Sequence, residues 1–136
     1  MNEAIIKSPV LGEQYTQIKH PSGLTVLLCP MSGFSSAYAL FAAKVGSIDT
    51  TFKTPGEVDF VEVPPGIAHF LEHKMFENEE GDAFQKYAAT GASANAYTSF
   101  DRTAYLFSCS DNFPETMEIL LDFVSRPYFT PESVQK

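Results

Sequence analysis

The segment His69-Phe-Leu-Glu-His73 places two imidazoles and one carboxylate within a single helical turn. His69 and His73 are four residues apart, so in a helix both side chains rise from the same face and can bind one metal ion. Glu72 follows His69 by three residues and lies at the flank of that face, close enough to act on a water bound to the metal. The spacing therefore predicts a metal site with a carboxylate beside it.

The residues around this segment predict that its helix is largely buried. Pro65 stands at the start of the helix, where the missing N–H of proline costs nothing. Apolar side chains cover most of the circumference: Ile67, Ala68, Phe70, Leu71, Met75 and Phe76. Burying a glutamate and two histidines without partners is expensive, and a bound cation satisfies all three. A chance match and a pair of ordinary surface histidines are the alternatives, and the predicted burial argues against both.

The order of the three polar residues is also informative. In the commoner zinc-protease motif the glutamate follows the first histidine directly, whereas here it precedes the second. The reversed form, H-x-x-E-H, is the inverzincin signature. The leading interpretation is therefore zinc protease chemistry.

Composition narrows the remaining possibilities. With 136 residues, 44% of them hydrophobic, the chain is long enough for one compact domain and too short for two. The net charge of −8 argues against non-specific nucleic-acid binding and mildly favours basic or neutral polypeptides as ligands. Residues 1–9 lack the features of a signal peptide, and no stretch has the length of a transmembrane helix, so we expect a cytoplasmic protein without a membrane partner. Cys29 and Cys109 lie in apolar, strand-like segments and are predicted to be reduced core thiols.

Local patterns along the chain predict an α+β fold, with an antiparallel or mixed sheet that carries helices on one face. Strands are predicted at 14–19, 24–29, 37–45, 94–98 and 103–108, with a short extended piece at 58–63. The strand at 37–45, rich in small and aromatic residues, is expected to be buried. Besides the metal-site helix, helices are predicted at 83–89 and at 113–125, the latter capped by Asp111 or Asn112. Another helix begins at Thr130. His20 falls in the turn between the first two strands and is interpreted as a surface residue. The acidic stretch 77–82 is interpreted as a solvated connection rather than a site.

Three blocks of sequence, in this order, resemble the pitrilysin/insulinase family of zinc metallopeptidases. They are Tyr15-Thr-Gln-Ile-Lys-His-Pro-Ser-Gly-Leu-Thr-Val-Leu-Leu28, Gly66-Ile-Ala-His-Phe-Leu-Glu-His-Lys-Met-Phe76 and Gly91-Ala-Ser-Ala-Asn-Ala-Tyr-Thr-Ser-Phe-Asp-Arg-Thr-Ala-Tyr105. The family includes mitochondrial processing peptidases and their bacterial relatives, and the chain looks like a bacterial, Bacillus-type member. The resemblance implies a half-clamshell domain, two of which enclose an unfolded peptide.

The resemblance also implies roles for individual residues. His69 and His73 would ligate Zn²⁺, and Glu72 would be the catalytic general base, taking a proton from a water that zinc makes acidic. The strand around Asn95, Ala96 and Tyr97 would lie beside the peptide substrate and pair with it as an added strand. An ordinary sheet strand is the other interpretation of that segment, and both can hold at once.

The predicted site is incomplete within these residues. A catalytic zinc of this type has three protein ligands, and in the family the third is a glutamate roughly seventy or more residues past the second histidine, which falls beyond Lys136. Glu115, Glu118 and Glu132 all come too early for that role. We therefore expect residues 1–136 to be an N-terminal zinc-peptidase domain that lacks its third-ligand helix and the second domain. Such a piece would bind zinc weakly or not at all and would be inactive alone.

Two functions from different classes remain. The first is a zinc-dependent endopeptidase acting on peptides or unfolded polypeptides. The second is a non-catalytic, peptide-binding partner subunit of a homologous peptidase, in a homo- or heterodimer. Inactive partners usually lack part of the histidine and glutamate set, whereas this chain keeps His69, Glu72 and His73, which favours the enzyme.

Overall fold

The first of two structural units comprises residues 1–34 and is a three-stranded antiparallel sheet in the order β1-β2-β3. In this computed structural model, which describes residues 1–79 and 81–135, the strands are β1 (Asn2–Lys7), β2 (Gln14–Lys19) and β3 (Thr25–Leu28). Glu80, part of the predicted acidic connection, and Lys136 lie outside the described residues. His20 is exposed in the turn between β2 and β3 and bonds through Nδ1 to the Ser22 hydroxyl at 2.7 Å, which confirms its interpretation as a surface residue.

The second unit begins at Ser35 and contains the remaining described elements. Its strands are β4 (Ala37–Ala43), β5 (Thr51–Phe52), β6 (Val61–Glu62), β7 (Glu77–Asn78), β8 (Gly81–Asp82), β9 (Ser93–Thr98) and β10 (Thr103–Cys109). Its helices are α1 (Ile67–Met75), α2 (Ala83–Ala89), α3 (Phe113–Ser125) and α4 (Pro131–Gln135). The principal sheet of this unit has the order β4-β10-β9, with both pairings antiparallel. Strand β9 is therefore an edge of that sheet within the described residues.

The core of the second unit lies between the principal sheet and helices α2 and α3. Strand β10 contributes Tyr105, Phe107 and Cys109, which alternate along the strand and so share one face. The helices contribute Ala83 and Tyr87 from α2 and Leu120 and Phe123 from α3. The arrangement confirms the predicted α+β class, with helices packed on one face of an antiparallel sheet.

Phe107→Ala is expected to destabilise the second unit by about 3–5 kcal/mol, the usual cost of truncating a buried phenylalanine. Phe107 is fully buried, at 0% exposure, and its ring packs against Tyr87 and Phe113. Denaturant titration of the 136-residue chain would measure the loss. Phe60→Ala is the matched control, because Phe60 is 71% exposed and its truncation leaves no cavity. Equal stabilities of the two variants would contradict the assigned core.

The ends of the helices depend on local hydrogen bonds that the sequence partly predicts. The Asp82 side chain accepts from the backbone N–H of Phe84 at 2.9 Å, and Gly91, with φ of 80°, follows the last turn of α2. The predicted capping of α3 by Asp111 or Asn112 was wrong in its chemistry. Asn112 occupies the cap position, but its side chain donates to the Thr90 carbonyl at 3.1 Å instead of capping the helix.

Two predictions of burial were also wrong. The segment 37–45 was expected to be a buried strand, but alternate residues of β4 are exposed, among them Tyr38 at 61%, because α2 and α3 cover one sheet face only. Cys29 was expected in a core and is exposed, whereas Cys109 is buried as predicted. Both cysteines are free thiols. Within the described residues, none of the helices combines the length and apolar character needed to cross a bilayer.

Candidate metal centre

Helix α1 carries the histidines and packs against strands β9 and β10 of the principal sheet. It begins after Gly66, whose φ of 92° turns the chain sharply out of the Pro64-Pro65 segment. The Gly66 carbonyl then accepts from the N–H of Phe70 at 3.0 Å, which starts the helical ladder. The site therefore rests on a regular helix rather than on a loop.

The prediction that α1 is largely buried was wrong. Only Ala68, Glu72 and Lys74 are buried, while Phe70 and Leu71 are 38% and 40% exposed and both histidines are exposed. Apolar residues all around a helix predict burial on every side, but the described elements cover only the side that faces β9 and β10. The result is an accessible pair of imidazoles beside a glutamate residue that is 8% exposed.

The two imidazoles converge as a metal-binding pair would. The Nε2 atoms of His69 and His73 are 3.0 Å apart, and the ring centroids are 4.7 Å apart. With Zn–N bonds of about 2.0–2.1 Å and a tetrahedral angle, two ligand nitrogens lie roughly 3.3–3.4 Å apart. A small rotation of either ring covers the difference. The pair therefore fits zinc without any change in the backbone of α1.

Among the described residues, a third ligand is not found beside this pair. Within residues 1–79 and 81–135, no group of three or more histidine, cysteine, aspartate or glutamate side chains is arranged to hold a metal ion. Zinc sites in proteins are almost always completed by three or four protein ligands. The described residues thus bring two imidazoles together beside one carboxylate, and their roles as metal ligands and general base stay predictions.

The Glu72 carboxylate is held by strand β9. The Thr98 hydroxyl donates to Glu72 Oε2 at 2.5 Å, a bond that joins α1 to the end of the strand. Tyr105, on the adjacent strand β10, is buried near the same carboxylate. Burial, and secondarily the negative charge of Glu72, raises the pKa of the Tyr105 phenol to about 12, so the ring stays neutral beside Glu72.

Thr98 is a residue of the site that sequence reasoning missed. It was predicted only as part of a strand, and the contact with Glu72 spans 26 residues of sequence. Strand alternation places Thr98 on the same half-buried face as Ala94 and Ala96. That alternation was readable from the sequence, but the packing of α1 against this face was not.

A cleft of about 570 Å³ opens beside Glu72 and His73. Its other walls come from β7, β8, the start of α2 and strand β9: Phe76, Glu77, Asn78, Gly81, Asp82, Phe84, Asn95 and Ala96. Two of the three residues predicted to lie beside substrate, Asn95 and Ala96, thus share a cleft with the carboxylate. Tyr97 is not among the described residues that line it, and its side chain is 42% exposed.

The amino-acid sequence matches a known protein family over most of the second unit. The family described as "Insulinase (Peptidase family M16)" matches residues 61–136, which are more than half of the chain. The chain belongs to peptidase family M16. The match to M16 includes α1 with His69, Glu72 and His73, and also the strands β9 and β10 that support the helix.

Individual M16 relatives cover almost the whole chain. It is 53% identical over 126 residues to YmfH of Bacillus subtilis strain 168, described as an uncharacterized zinc protease, with 93% of this chain and 29% of that protein covered. A zinc protease of Rickettsia bellii is 32% identical over 131 residues, again covering 93% of this chain and 29% of that protein. The chain therefore spans less than a third of the length of these relatives.

Solved M16 structures share the fold. An M16-like peptidase from Alicyclobacillus acidocaldarius superposes with a TM-score of 0.84 at 43% identity, covering 96% of this chain and 30% of that one. Pitrilysin superposes with a TM-score of 0.72 at 22% identity, covering 96% of this chain and 14% of that one. These matches confirm the resemblance to the pitrilysin/insulinase family and the fold class that it implies.

Proposed function

We propose that this M16 chain is part of a zinc-dependent endopeptidase that cleaves peptides or unfolded polypeptides. The observation that carries the proposal is the pair of Nε2 atoms 3.0 Å apart on α1, next to a buried carboxylate. The names of the relatives, zinc proteases of Bacillus subtilis and Rickettsia bellii, support the metal and the class of reaction. The cleft beside Glu72 supplies space for a polypeptide segment.

Each residue of the site has a role in this proposal. His69 and His73 would hold the metal through Nε2, and the regular helix fixes their spacing. Zinc held there would supply Lewis-acid chemistry and make a water more acidic. Glu72 would accept a proton from water and return it to the leaving amine. Its position beside His73 and at the wall of the cleft suits both proton transfers.

Strand β9 is the proposed binding edge for the substrate. It is an edge strand within the described residues, and Asn95 and Ala96 line the cleft. The backbone N–H of Ala96 donates to the Asn95 side-chain oxygen at 2.9 Å, so a substrate carbonyl would compete with that oxygen for the donor. An extended peptide that pairs with β9 would lie alongside Glu72. Tyr97, whose side chain lies on the face of the strand opposite to that of Ala96, would contribute its backbone to this pairing.

We further propose that residues 1–136 are the amino-terminal domain of a longer peptidase, called the whole protein below. Two observations support this. The chain covers 29% of the length of two relatives, and the described residues provide only two histidines where a zinc site needs at least three ligands. The third ligand and the second half of the substrate chamber would come from the rest of the whole protein or from a homologous subunit. A cytoplasmic location and activity only in the whole protein are parts of the same proposal.

Cleavage of an unfolded polypeptide distinguishes the proposed endopeptidase from the alternative, a non-catalytic peptide-binding subunit. Incubating the whole protein with an unfolded polypeptide should give cleavage that a metal chelator abolishes and added zinc restores, because the metal supplies both electrophile and nucleophile. Mass spectrometry of the products measures it, and a chelator already saturated with zinc is the control. Peptide binding without cleavage, under conditions where zinc is bound, would favour the partner subunit.

A further inference from the structure

The contact between Thr98 and Glu72 is a direct side-chain link between the proposed substrate strand and the proposed general base. The donor lies at the end of β9, and the acceptor oxygen lies on α1 at 2.5 Å. An ionised carboxylate only accepts hydrogen bonds, so the hydroxyl is the donor. Glu72 is 8% exposed and Thr98 is half-buried, so water competes weakly for this bond.

The bond selects between the two carboxylate oxygens of Glu72. A glutamate side chain has three rotatable bonds, and an unsupported carboxylate would sample several orientations. One hydroxyl donor holds Oε2 and leaves Oε1 to take up a proton. The orientation of a general base matters, because proton transfer needs hydrogen-bonding distance between the base and the proton it removes.

Strand β9 relates this orientation to the substrate. Asn95 and Ala96 line the cleft, and Thr98 follows Ala96 by two residues on the same face of the strand. A peptide paired along β9 would therefore be positioned against the same rigid element that positions Glu72. Asn95, Ala96 and Thr98 belong to one continuous strand, so no loop separates the residues that line the cleft from Thr98.

We infer that Thr98 is a positioning residue for Glu72: its hydroxyl fixes the carboxylate for proton transfer and sets it in register with a peptide bound along β9. The inference rests on the proposed function. A residue that holds another by a hydrogen bond in a zinc site typically contributes 10- to 100-fold in activity or affinity. Because the Thr98 hydroxyl bonds to the proposed base, we expect the effect on turnover rather than on zinc binding.

Four substitutions test this in the whole protein. Thr98→Val keeps the branched shape and removes the hydroxyl, while Thr98→Ala and Thr98→Ser form a second pair that differs by the oxygen alone. The expected result is a fall in kcat of about 10- to 100-fold for the valine and alanine variants, with KM within about twofold of the wild type. Thr98→Ser should recover most of the turnover. Thr103→Val is the matched structural control.

Thr103 suits that purpose because it is the register partner of Thr98 on β10 and is 6% exposed. Its hydroxyl donates to the Val45 carbonyl at 2.8 Å and not to Glu72. Thr103→Val should lower the melting temperature and leave kcat unchanged. If a Thr98 variant lost turnover only through loss of fold, the two positions would behave alike, and the inference would be overturned.

Two readouts do not depend on activity. Elemental analysis should find the same zinc content in all Thr98 variants as in the wild type. Crystal structures should show one Glu72 rotamer in the wild type and in Thr98→Ser, and several in Thr98→Val. Full turnover in Thr98→Val and Thr98→Ala, or a serine variant as slow as the alanine variant, overturns the role of Thr98. In both cases an inactive Glu72→Gln variant would leave the proposed function standing, whereas an active one would remove the proposed function itself.

Discussion

Glu72→Gln is expected to lower kcat for peptide cleavage by the whole protein by about 10²- to 10⁴-fold, the usual contribution of a general base. Glutamine keeps the shape of the side chain and can still accept the Thr98 hydroxyl bond, but it cannot take a proton from water at neutral pH. His69 and His73 are untouched, so bound zinc should remain. The variant thus separates the base from the metal.

Steady-state kinetics with a quenched-fluorescent peptide measures this loss, and elemental analysis of the same sample measures zinc. Glu118→Gln is the matched control, since Glu118 is exposed on α3 and is not among the residues that line the cleft. It should retain wild-type turnover. Cleavage by Glu72→Gln at the rate of that control would exclude Glu72 from the mechanism.

Elements with a clear period and clear end signals were predictable from the sequence. The helices at 83–89 and 113–125 match α2 and α3 at both ends, because Asp82, Gly91 and the Arg126-Pro127 pair mark their limits. Strand β1 was missed. Its sequence, Asn-Glu-Ala-Ile-Ile-Lys, does not alternate cleanly, and all six of its residues are exposed. Strands of that kind depend on pairing with a neighbour, here β2, rather than on their own pattern.

In the candidate site, contacts within one helical turn were predictable from the sequence, whereas contacts between separate elements were not. The spacing of His69, Glu72 and His73 was enough to predict that the imidazoles converge, because that contact lies within one helical turn. Placing Asn95 and Ala96 beside Glu72 required family resemblance, since no local pattern relates residues on separate elements. The bond from Thr98 to Glu72 and the one-sided burial of α1 depend on how the helix packs on the sheet, so neither was accessible from sequence.

The 136-residue chain alone is expected to bind zinc with a Kd above about 1 μM, which corresponds to less than about 8.2 kcal/mol of binding free energy. Two imidazoles supply only part of the ligand set of a zinc site, and no third ligand is arranged beside them among the described residues. His69→Ala and His73→Ala should each remove measurable binding, because a single exposed imidazole does not chelate. Isothermal titration calorimetry at neutral pH measures all three proteins.

The third histidine of the chain provides the control for this titration. His20 is exposed in the turn of the first unit, bonded to Ser22, and is predicted to have no part in the site. His20→Ala should therefore bind zinc as the unmodified chain does. The whole protein, with its ligand set complete, should bind far more tightly and lose that affinity in the His69 and His73 variants. Sub-micromolar binding by residues 1–136 would show that two histidines are not the full set, and binding that survives His73→Ala would place the metal elsewhere.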